Sequence, residues 1–320
     1  MPSLGKSTEH FVTLFDSRFL LLGLTLHASL QKFSPNSHLW IICIDELVEQ
    51  QINSLKLDHV STIPLRTIET VELQAVKSTR TIGEYCWTLT PFAPKSVFDL
   101  APDAERVTYL DSDLFFFSSP EIIFNEFESS GKHVLITEHA YSPKLDRTAQ
   151  SGRFCVQFMT FRRTPEGLGV MKWWQDRCLE WCYDRYEDGK FGDQKYLDQW
   201  PTLFSNEVHI LSLVDKTLAP WNVDYFLLKY SNHLTPVFYH FQSFRIVSDK
   251  LARLYIGVAL TENAHKFYDQ YLDAIKFQIK LMKVNGIALC KMPEPKRRFN
   301  VLRKLYMRAF NKVRYAELYL

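Results

Sequence analysis

The stretch RVTYLDSDLFFFSSP, residues 106–120, decides the fold class of this chain. Its first five residues have the composition of a buried strand, and Asp111 and Asp113 follow directly after Leu110. Carboxylates are rarely buried unless they have a partner. Residues two apart in an extended or turn conformation project to the same side, so these two can bind one hard cation. The stretch therefore predicts a divalent-metal site at the end of a strand.

Strand-like and helix-like segments alternate along the rest of the chain. We predict strands at 10–15, 39–45, 59–65, 106–110, 133–138 and 154–162, and helices at about 19–32, around 91–101, and from Pro165 to a stop near Gly189. Such alternation is typical of an α/β protein with a mainly parallel sheet flanked by helices. Ligands of these sheets bind at the carboxyl ends of the strands, where Asp111 and Asp113 lie.

The composition indicates a globular chain without an integral membrane segment. Hydrophobic residues make up 46% of the sequence, and no uncharged apolar stretch reaches the roughly 18 residues that cross a bilayer. The six cysteines are scattered without Cys-x-x-Cys pairs, which favours reduced thiols. We therefore expect a cytoplasmic protein.

The last thirty residues differ in charge from the rest of the chain. Residues 291–320 carry a net charge of +7, against a total of +2. We predict two units, a domain at 1–290 and a basic amphipathic C-terminal helix at 291–320. This helix either contacts the inner face of an anionic membrane as a peripheral anchor or packs its apolar face on the domain. Nucleic acid is a less favoured partner, because the domain is acidic and has no recognition motif.

Five sequence blocks in a fixed order carry a family resemblance. They are VTLFDSRFLLLGLTLHASL, EYCWTLT, YLDSDLF, FGDQKYLDQW and FYHFQSFR. Together they resemble the nucleotide-sugar transferases of the glycogenin and bacterial lipooligosaccharide galactosyltransferase type, over most of residues 10–245. The resemblance implies the Rossmann-like GT-A fold. It also implies a hexosyltransferase of polysaccharide biosynthesis, which moves a sugar from UDP to a hydroxyl of a surface glycan or lipid-linked acceptor; retention of configuration is suggested but left open.

The resemblance assigns the metal and the sugar-facing residues. It places Asp111, Asp113 and His240 on a Mn²⁺ or Mg²⁺ ion, and the imidazole favours manganese. In the Gly-Asp-Gln block, Asp193 would bind sugar hydroxyls or act as a general base, and the carbonyl of Gln194 would lie near the anomeric carbon. A capped helix start is the structural alternative for this block.

The resemblance also assigns contacts to the nucleotide. Thr13, Leu14, Phe15 and Asp16, with Phe19, match the segment that holds the nucleobase. Ser112 would hydrogen-bond the ribose. Arg80 is either a phosphate or ribose contact, for which its guanidinium is suited, or a solvated helix residue. Arg245 would supply positive charge to the departing diphosphate.

The chain departs from the family at several of these places. Cys155-Val156-Gln157 stands where the family has Asn-Ser-Gly beside the donor sugar, and Ser243 and Ile246 replace a glycine and a lysine after His240. Phe19 stands where the family often has tyrosine. Glu138-His139 either line the sugar pocket or end a strand. These departures put the identity of the sugar in doubt.

Two other functions fit parts of the pattern. A haloacid dehalogenase-type phosphatase also has Asp-x-Asp after a hydrophobic strand, and GDQKYLD imitates its later acidic motif, but Phe115 stands where that family has Thr or Val. A catalytically silent sugar-nucleotide or glycan-binding protein is the second alternative. Phosphate release from aryl phosphates would favour the first, and binding without turnover the second.

Overall fold

Helices and strands alternate along most of the chain in the computed structural model, which describes residues 8–292 and 306–318. The α-helices are α1 (Leu20–Phe33), α2 (Glu46–Leu55), α3 (Leu65–Ile68), α4 (Val71–Lys77), α5 (Ile82–Leu89), α6 (Ala93–Leu100), α7 (Glu121–Ser130), α8 (Thr148–Ser151), α9 (Pro165–Glu180), α10 (Trp200–Leu203), α11 (Val223–Lys229) and α12 (Glu262–Val284). The strands are β1 (Glu9–Phe15), β2 (Ser37–Cys43), β3 (Val60–Pro64), β4 (Arg106–Leu110), β5 (Leu114–Phe116), β6 (Val134–Glu138), β7 (Phe154–Arg162), β8 (Val208–Ile210), β9 (Thr217–Leu218), β10 (Phe238–His240), β11 (Arg245–Ser248), β12 (Leu251–Ile256) and β13 (Val313–Glu317).

A mixed sheet forms the centre of the described structure. Its seven strands follow the order β3-β2-β1-β4-β7-β6-β8. Strand β7 pairs antiparallel with β4 and β6, while the other pairings are parallel. The predicted mainly parallel α/β sheet is therefore confirmed. The six predicted strands coincide with observed ones to within two residues at each end.

Alternating residues of the central strands pack into two separate hydrophobic cores. On β1, Phe11 and Phe15 face the core built with α1, α7 and α12, while Val12 and Leu14 face the core built with α5, α6 and α9. Successive side chains of a strand point to opposite faces, so β1 must be apolar on both. This explains why the sequences of the central strands are nearly continuous hydrophobic runs.

Helix α9 is shorter than the sequence predicted. It begins as expected, with the hydroxyl of Thr164 accepting the N–H of Gly167 (3.1 Å), but it ends at Glu180 and not near Gly189. Asp188 and Gly189 both have positive φ and form a tight turn between Glu187 and Lys190. Asp-Gly is a favoured pair for such a turn. The Asp188-Gly189 pair, which predicted the end of the helix, therefore forms a hairpin turn instead.

Two smaller sheets lie beyond the central one. The first has the order β5-β10-β9, and the second the order β11-β12-β13. Strand β10 runs antiparallel to β5 with His240 opposite Leu114. The chain segment after Asp113 is thereby tied to the segment that ends in His240.

The predicted C-terminal amphipathic helix is wrong for residues 313–317. These residues form β13, which pairs antiparallel with β12, while residues 306–309 are helical. Val313 and Tyr315 are of types that favour strands, and the apolar residues of this segment fit both periods. The rest of the prediction, at residues 293–305 and 319–320, lies outside the described residues. Among the helices of the described part of the chain, none is long and apolar enough to cross a bilayer.

Substitution of Gly23 tests the packing of α1 on β1. A Cβ added at Gly23 would overlap the ring of Phe15, which is buried beneath the helix. Overpacking of this kind costs about 1–3 kcal/mol, whereas alanine in a helix gains at most about 1 kcal/mol over glycine. Gly23→Ala should therefore lower the free energy of unfolding, measured with urea.

Gly169 provides the matched control within α9. An added Cβ there meets nothing within 4 Å. Gly169→Ala should therefore raise the free energy of unfolding by about 0.4–1 kcal/mol. Equal stabilisation by both substitutions would contradict the close packing at Gly23.

Candidate functional site

The turn after β4 holds Asp111 and Asp113 side by side. The main-chain N–H of Asp111 donates to the main-chain oxygen of Gln157 on β7 (3.0 Å), and the N–H of Leu114 donates to the oxygen of Asp111 (3.2 Å). The first bond continues the sheet and the second closes the turn. Both carboxylates are therefore fixed at the carboxyl end of β4, as the sequence predicted.

The small sheet brings His240 to these carboxylates. The N–H of Phe241 donates to the main-chain oxygen of Asp113 (2.9 Å). Nε2 of His240 then lies 3.1 Å from Oδ1 of Asp113 and 3.7 Å from Oδ2 of Asp111. The three side chains predicted as metal ligands are thus gathered in one place.

The donor atoms of this group suit a divalent cation. One ligand atom from each of Asp111, Asp113 and His240 can be chosen so that all three lie within 4.8 Å of one another. Two carboxylate oxygens and one imidazole nitrogen form a set that manganese accepts, and imidazole is a poorer ligand for magnesium. The residues therefore fit a divalent ion and favour the softer one.

The charges of the group indicate why a cation would be stabilising there. Burial, reinforced by Asp113, raises the pKa of Asp111 to about 7. Burial also disfavours charge on Asp113 and on His240, but their mutual attraction outweighs it: the pKa of Asp113 is lowered and that of His240 is raised well above its usual value. Two carboxylates thus share one imidazolium, and a bound cation would relieve the remaining negative charge.

Three side chains contact the group in ways that were not predicted from the sequence, although Gln157 was already placed near the donor sugar by the resemblance. The hydroxyl of Tyr109 donates to Oδ1 of Asp111 (3.0 Å), and Nδ1 of His240 lies 2.7 Å from Oε1 of Gln157. The ring of Trp221 lies perpendicular to that of His240, with centroids 5.6 Å apart. Tyr109 had a local signal, because it lies two residues before Asp111 on the same strand face. Gln157 and Trp221 are brought in by tertiary contacts that no local pattern encodes.

Of the residues predicted to contact the nucleotide, Phe19 and Arg245 lie together. The guanidinium of Arg245 is 5.2 Å from the centroid of the Phe19 ring, and its charge also acts on Asp113. Ser112 lies in the turn between the two aspartates. The structure therefore brings these three predicted residues to the metal group, although their contacts with a nucleotide stay a prediction.

The end of β1 supports this region mainly by packing. The side chains of Leu14 and Phe15 are buried in the two cores, and Thr13 is fully buried. The carboxylate of Asp16 accepts hydrogen bonds from the main-chain N–H (3.0 Å) and Nε (2.8 Å) of Arg18. The predicted nucleobase contact of this segment stays a prediction.

The residues predicted to face the sugar, Asp193 and Gln194, follow the turn at Gly192. Asp193 is buried, and burial together with the charge of Asp111 raises its pKa well above the usual value. Nε2 of Gln194 donates to the main-chain oxygen of Ser151 (2.7 Å). This bond occupies the amide nitrogen and leaves the carbonyl oxygen of Gln194 available. The residues after Gln194 form a short 3₁₀ helix, Lys195–Gln199.

Cys155 and His139 lie close to each other. Burial raises the pKa of the Cys155 thiol, but His139 and His240 outweigh it and lower the pKa to about 6. The ring of His139 stacks on Tyr141 with centroids 4.6 Å apart. Glu138 ends β6 and forms an ion pair with Arg153. Of the Glu138-His139 pair, it is therefore the histidine that interacts with Cys155, and a contact of either residue with a sugar stays a prediction.

Arg80 occupies a structural position. It lies between α4 and α5, its side chain donates to the hydroxyl of Thr88 and to the main-chain oxygen of Leu179 (2.7 Å), and it is only 9% exposed. The alternative of a solvated helix residue is therefore wrong. The contact with a phosphate or ribose stays a prediction.

Comparison with known proteins gives the family. No protein-family model matches the chain. Two proteins of Bacillus subtilis (strain 168) match it. The uncharacterized protein YfnD is 31% identical over 256 residues, which cover 76% of this chain and 80% of YfnD. The uncharacterized protein YfnF is 31% identical over 253 residues, which cover 75% of this chain and 83% of YfnF. The chain belongs to the YfnD and YfnF family.

Solved structures similar to this YfnD and YfnF family member show the fold. The bifunctional glycosyltransferase WbbM has a TM-score of 0.51 at 12% identity, with 88% of this chain and 52% of WbbM covered. Galactosyltransferase LgtC, solved with donor and acceptor sugar analogues, has a TM-score of 0.50 at 12% identity, with 83% and 95% covered. Glycosyltransferase GlyE of Streptococcus pneumoniae TIGR4 has a TM-score of 0.51 at 12% identity, with 91% and 66% covered. The predicted GT-A fold is confirmed.

Replacement of Arg80 tests its structural role. Lysine cannot donate simultaneously to Thr88 and to the oxygen of Leu179 in the geometry of the guanidinium. Arg80→Lys should therefore lower the free energy of unfolding by about 1–3 kcal/mol, because it leaves buried acceptors unsatisfied. Arg66→Lys, at an ion pair whose arginine side chain is 63% exposed, should change it by less than about 0.5 kcal/mol. A loss of nucleotide affinity without a loss of stability would instead support the phosphate contact.

Replacement of Asp193 tests its raised pKa. The folded state holds a proton that the unfolded chain releases near pH 4, so this group makes the free energy of unfolding fall as the pH rises above about 4. Asp193→Asn removes the group. We would measure urea unfolding of the variant and the wild type in EDTA. The free energy of unfolding of the variant, minus that of the wild type, should therefore increase from pH 4.5 to pH 8.

The exposed Asn125 on α7 provides the control for this measurement. Asn125→Ala changes no ionisable group and should keep a nearly constant difference from the wild type across the same pH range. A constant or shrinking difference for Asp193→Asn would contradict the raised pKa of the buried carboxyl.

Proposed function

We propose that this chain is a metal-dependent glycosyltransferase. It transfers a sugar from a nucleoside diphosphate to a hydroxyl of a surface glycan or lipid-linked acceptor. UDP is the first candidate for the nucleoside diphosphate. The observation that carries the proposal is the convergence of Asp111, Asp113 and His240 at the carboxyl end of a central strand in a GT-A fold. Ligands of open α/β sheets bind at that edge of the sheet.

The chemistry of the departing diphosphate suits this group. A divalent ion held by Asp111, Asp113 and His240 would act as a Lewis acid that neutralises the diphosphate. Manganese is the proposed ion, because an imidazole is one of the three ligands. The guanidinium of Arg245 adds positive charge on the same side, and Phe19 offers a ring next to it.

The sugar-facing residues support a transferase over a simple binding site. The bond between Nε2 of Gln194 and Ser151 orients the amide so that its oxygen is the free end. An uncharged oxygen next to the anomeric carbon would stabilise an oxocarbenium-like state without forming a stable adduct. Asp193 binds sugar hydroxyls in this proposal, and its raised pKa lets it donate as well as accept hydrogen bonds. Retention of anomeric configuration stays a prediction.

The alternatives from the sequence are weaker. The GT-A fold argues against the haloacid dehalogenase-type phosphatase.

Contact of the basic C-terminal segment with an anionic membrane stays a prediction, because residues 293–305 lie outside those described and residues 313–317 are paired in a sheet.

Turnover of sugar nucleotides tests the proposed function. We expect release of the nucleoside diphosphate from one or more members of a panel of UDP- and GDP-sugars, UDP-sugars first, with Mn²⁺ and not with EDTA. Asp111→Asn and Asp113→Asn should each lower this turnover by about 10²–10³-fold, the usual cost of removing one preorganised charge partner. Asp99→Asn, at a surface ion pair on α6, should leave it unchanged.

Three results would overturn the proposal. Undiminished turnover in Asp113→Asn would refute the metal site. Phosphate release from aryl phosphates without a sugar nucleotide would favour the phosphatase, and tight binding of UDP-sugars with no turnover on any acceptor would favour the silent binding protein.

A further inference from the structure

A single residue on β7, Gln157, contacts two of the three proposed metal ligands. Its main-chain oxygen accepts the N–H of Asp111 (3.0 Å), and its side-chain oxygen lies 2.7 Å from Nδ1 of His240. Gln157 is only 1% exposed, so water does not compete for either contact. The residue therefore holds the backbone of one proposed ligand and the side chain of another.

The contact with His240 determines which ring nitrogen is free. An amide oxygen accepts hydrogen bonds and cannot donate them, so the partner nitrogen Nδ1 must carry a proton. When a cation displaces the proton that the imidazolium holds at Nε2, the lone pair is on this nitrogen, which faces Asp113 at 3.1 Å and Asp111 at 3.7 Å. Trp221 packs perpendicular to the same ring and limits its rotation. The imidazole is thereby oriented to coordinate through Nε2.

We propose that Gln157 is a positioning residue of the metal site, which fixes the tautomer of His240 and so sets the affinity and the selectivity for Mn²⁺. The inference rests on the metal dependence proposed above. The role depends on the side-chain oxygen of Gln157, which makes the contact with His240.

Metal binding by the full-length chain, without any substrate, tests this role. Free Mn²⁺ gives an electron paramagnetic resonance signal whose loss on titration measures the affinity. Gln157→Leu keeps most of the side-chain volume but removes the acceptor. It should weaken Mn²⁺ binding by about 10–100-fold, the usual effect of losing an outer hydrogen bond to a metal ligand. Gln157→Glu keeps an acceptor oxygen at the same distance along the side chain and adds a negative charge, so it should bind Mn²⁺ at least as tightly as the wild type.

Selectivity and coupling separate positioning from general damage to the site. Because the effect acts through an imidazole, Gln157→Leu should lower the preference for Mn²⁺ over Mg²⁺, measured by competition. It should also cost little in a His240→Ala background, so that the double variant binds Mn²⁺ about as well as His240→Ala alone. Additive losses in this cycle would overturn the proposal.

Gln175 on α9 provides the matched control. It is also a buried glutamine, and its Nε2 donates to the main-chain oxygen of Pro91 (3.0 Å). Gln175→Leu removes the same amide away from the metal ligands and should leave Mn²⁺ affinity unchanged. If Gln157→Leu does not fold, Gln157→Asn, which shortens the side chain, is expected to weaken Mn²⁺ binding in the same direction.

The outcomes distinguish this inference from the proposed function. A wild-type chain that binds no Mn²⁺ would refute the proposed metal dependence and the inference with it. A wild-type chain that binds Mn²⁺ with the affinity and selectivity of Gln157→Leu would refute only the role of Gln157.

Discussion

The negative charge that Asp111 and Asp113 place at the end of β4 constrains everything around it. Two adjacent carboxylates at the end of a buried strand are unfavourable unless cations or hydrogen-bond donors surround them. The structure supplies the hydroxyl of Tyr109, the imidazole of His240 and the charge of Arg245. The small sheet of β5, β9 and β10 brings the imidazole within reach, because its register places His240 opposite Leu114.

The direction of β7 gives the site its other wall. This strand runs antiparallel to β4, so its first residues, and not its last ones, lie beside the Asp111 turn. Cys155 and Gln157 therefore lie at the carboxyl end of β4 although they belong to the beginning of β7. A parallel strand in the same position would place residues near Phe161 there instead. The parallel strands of the sheet build the packed cores. The one strand that runs in the opposite direction, β7, provides side chains for the site.

The parts of the fold that were predictable are those with local signals. The alternation of HFVTLF, the 3.6-residue period of α1 and the position of Asp111 and Asp113 after RVTYL are all contained in a few consecutive residues. The early end of α9 and the strand at residues 313–317 were missed, because their composition fits two structures and tertiary contacts decide between them. Arg80 was ambiguous for the same reason, since its partner Leu179 lies far along the chain.

The site shows the same division between local and tertiary information. The family resemblance supplied His240, Asp193 and Gln194 as predictions, and the structure places the histidine beside the two aspartates. The contacts of Gln157 and Trp221 with His240 had no signal, because they depend on how β7, β10 and the loop before α11 meet. Sequence reasoning thus finds residues whose neighbours in the chain reveal them, and misses those whose role comes only from packing.

Asp111 links the two halves of the site electrostatically. Its charge is one of the causes that raise the pKa of Asp193, so anything that neutralises Asp111 must make Asp193 easier to ionise. By linkage the effect is reciprocal: ionisation of Asp193 must strengthen the binding of a cation at Asp111. Under the proposed function, the protonation of Asp193 and the binding of a cation beside Asp111 would therefore be coupled through the charge of Asp111.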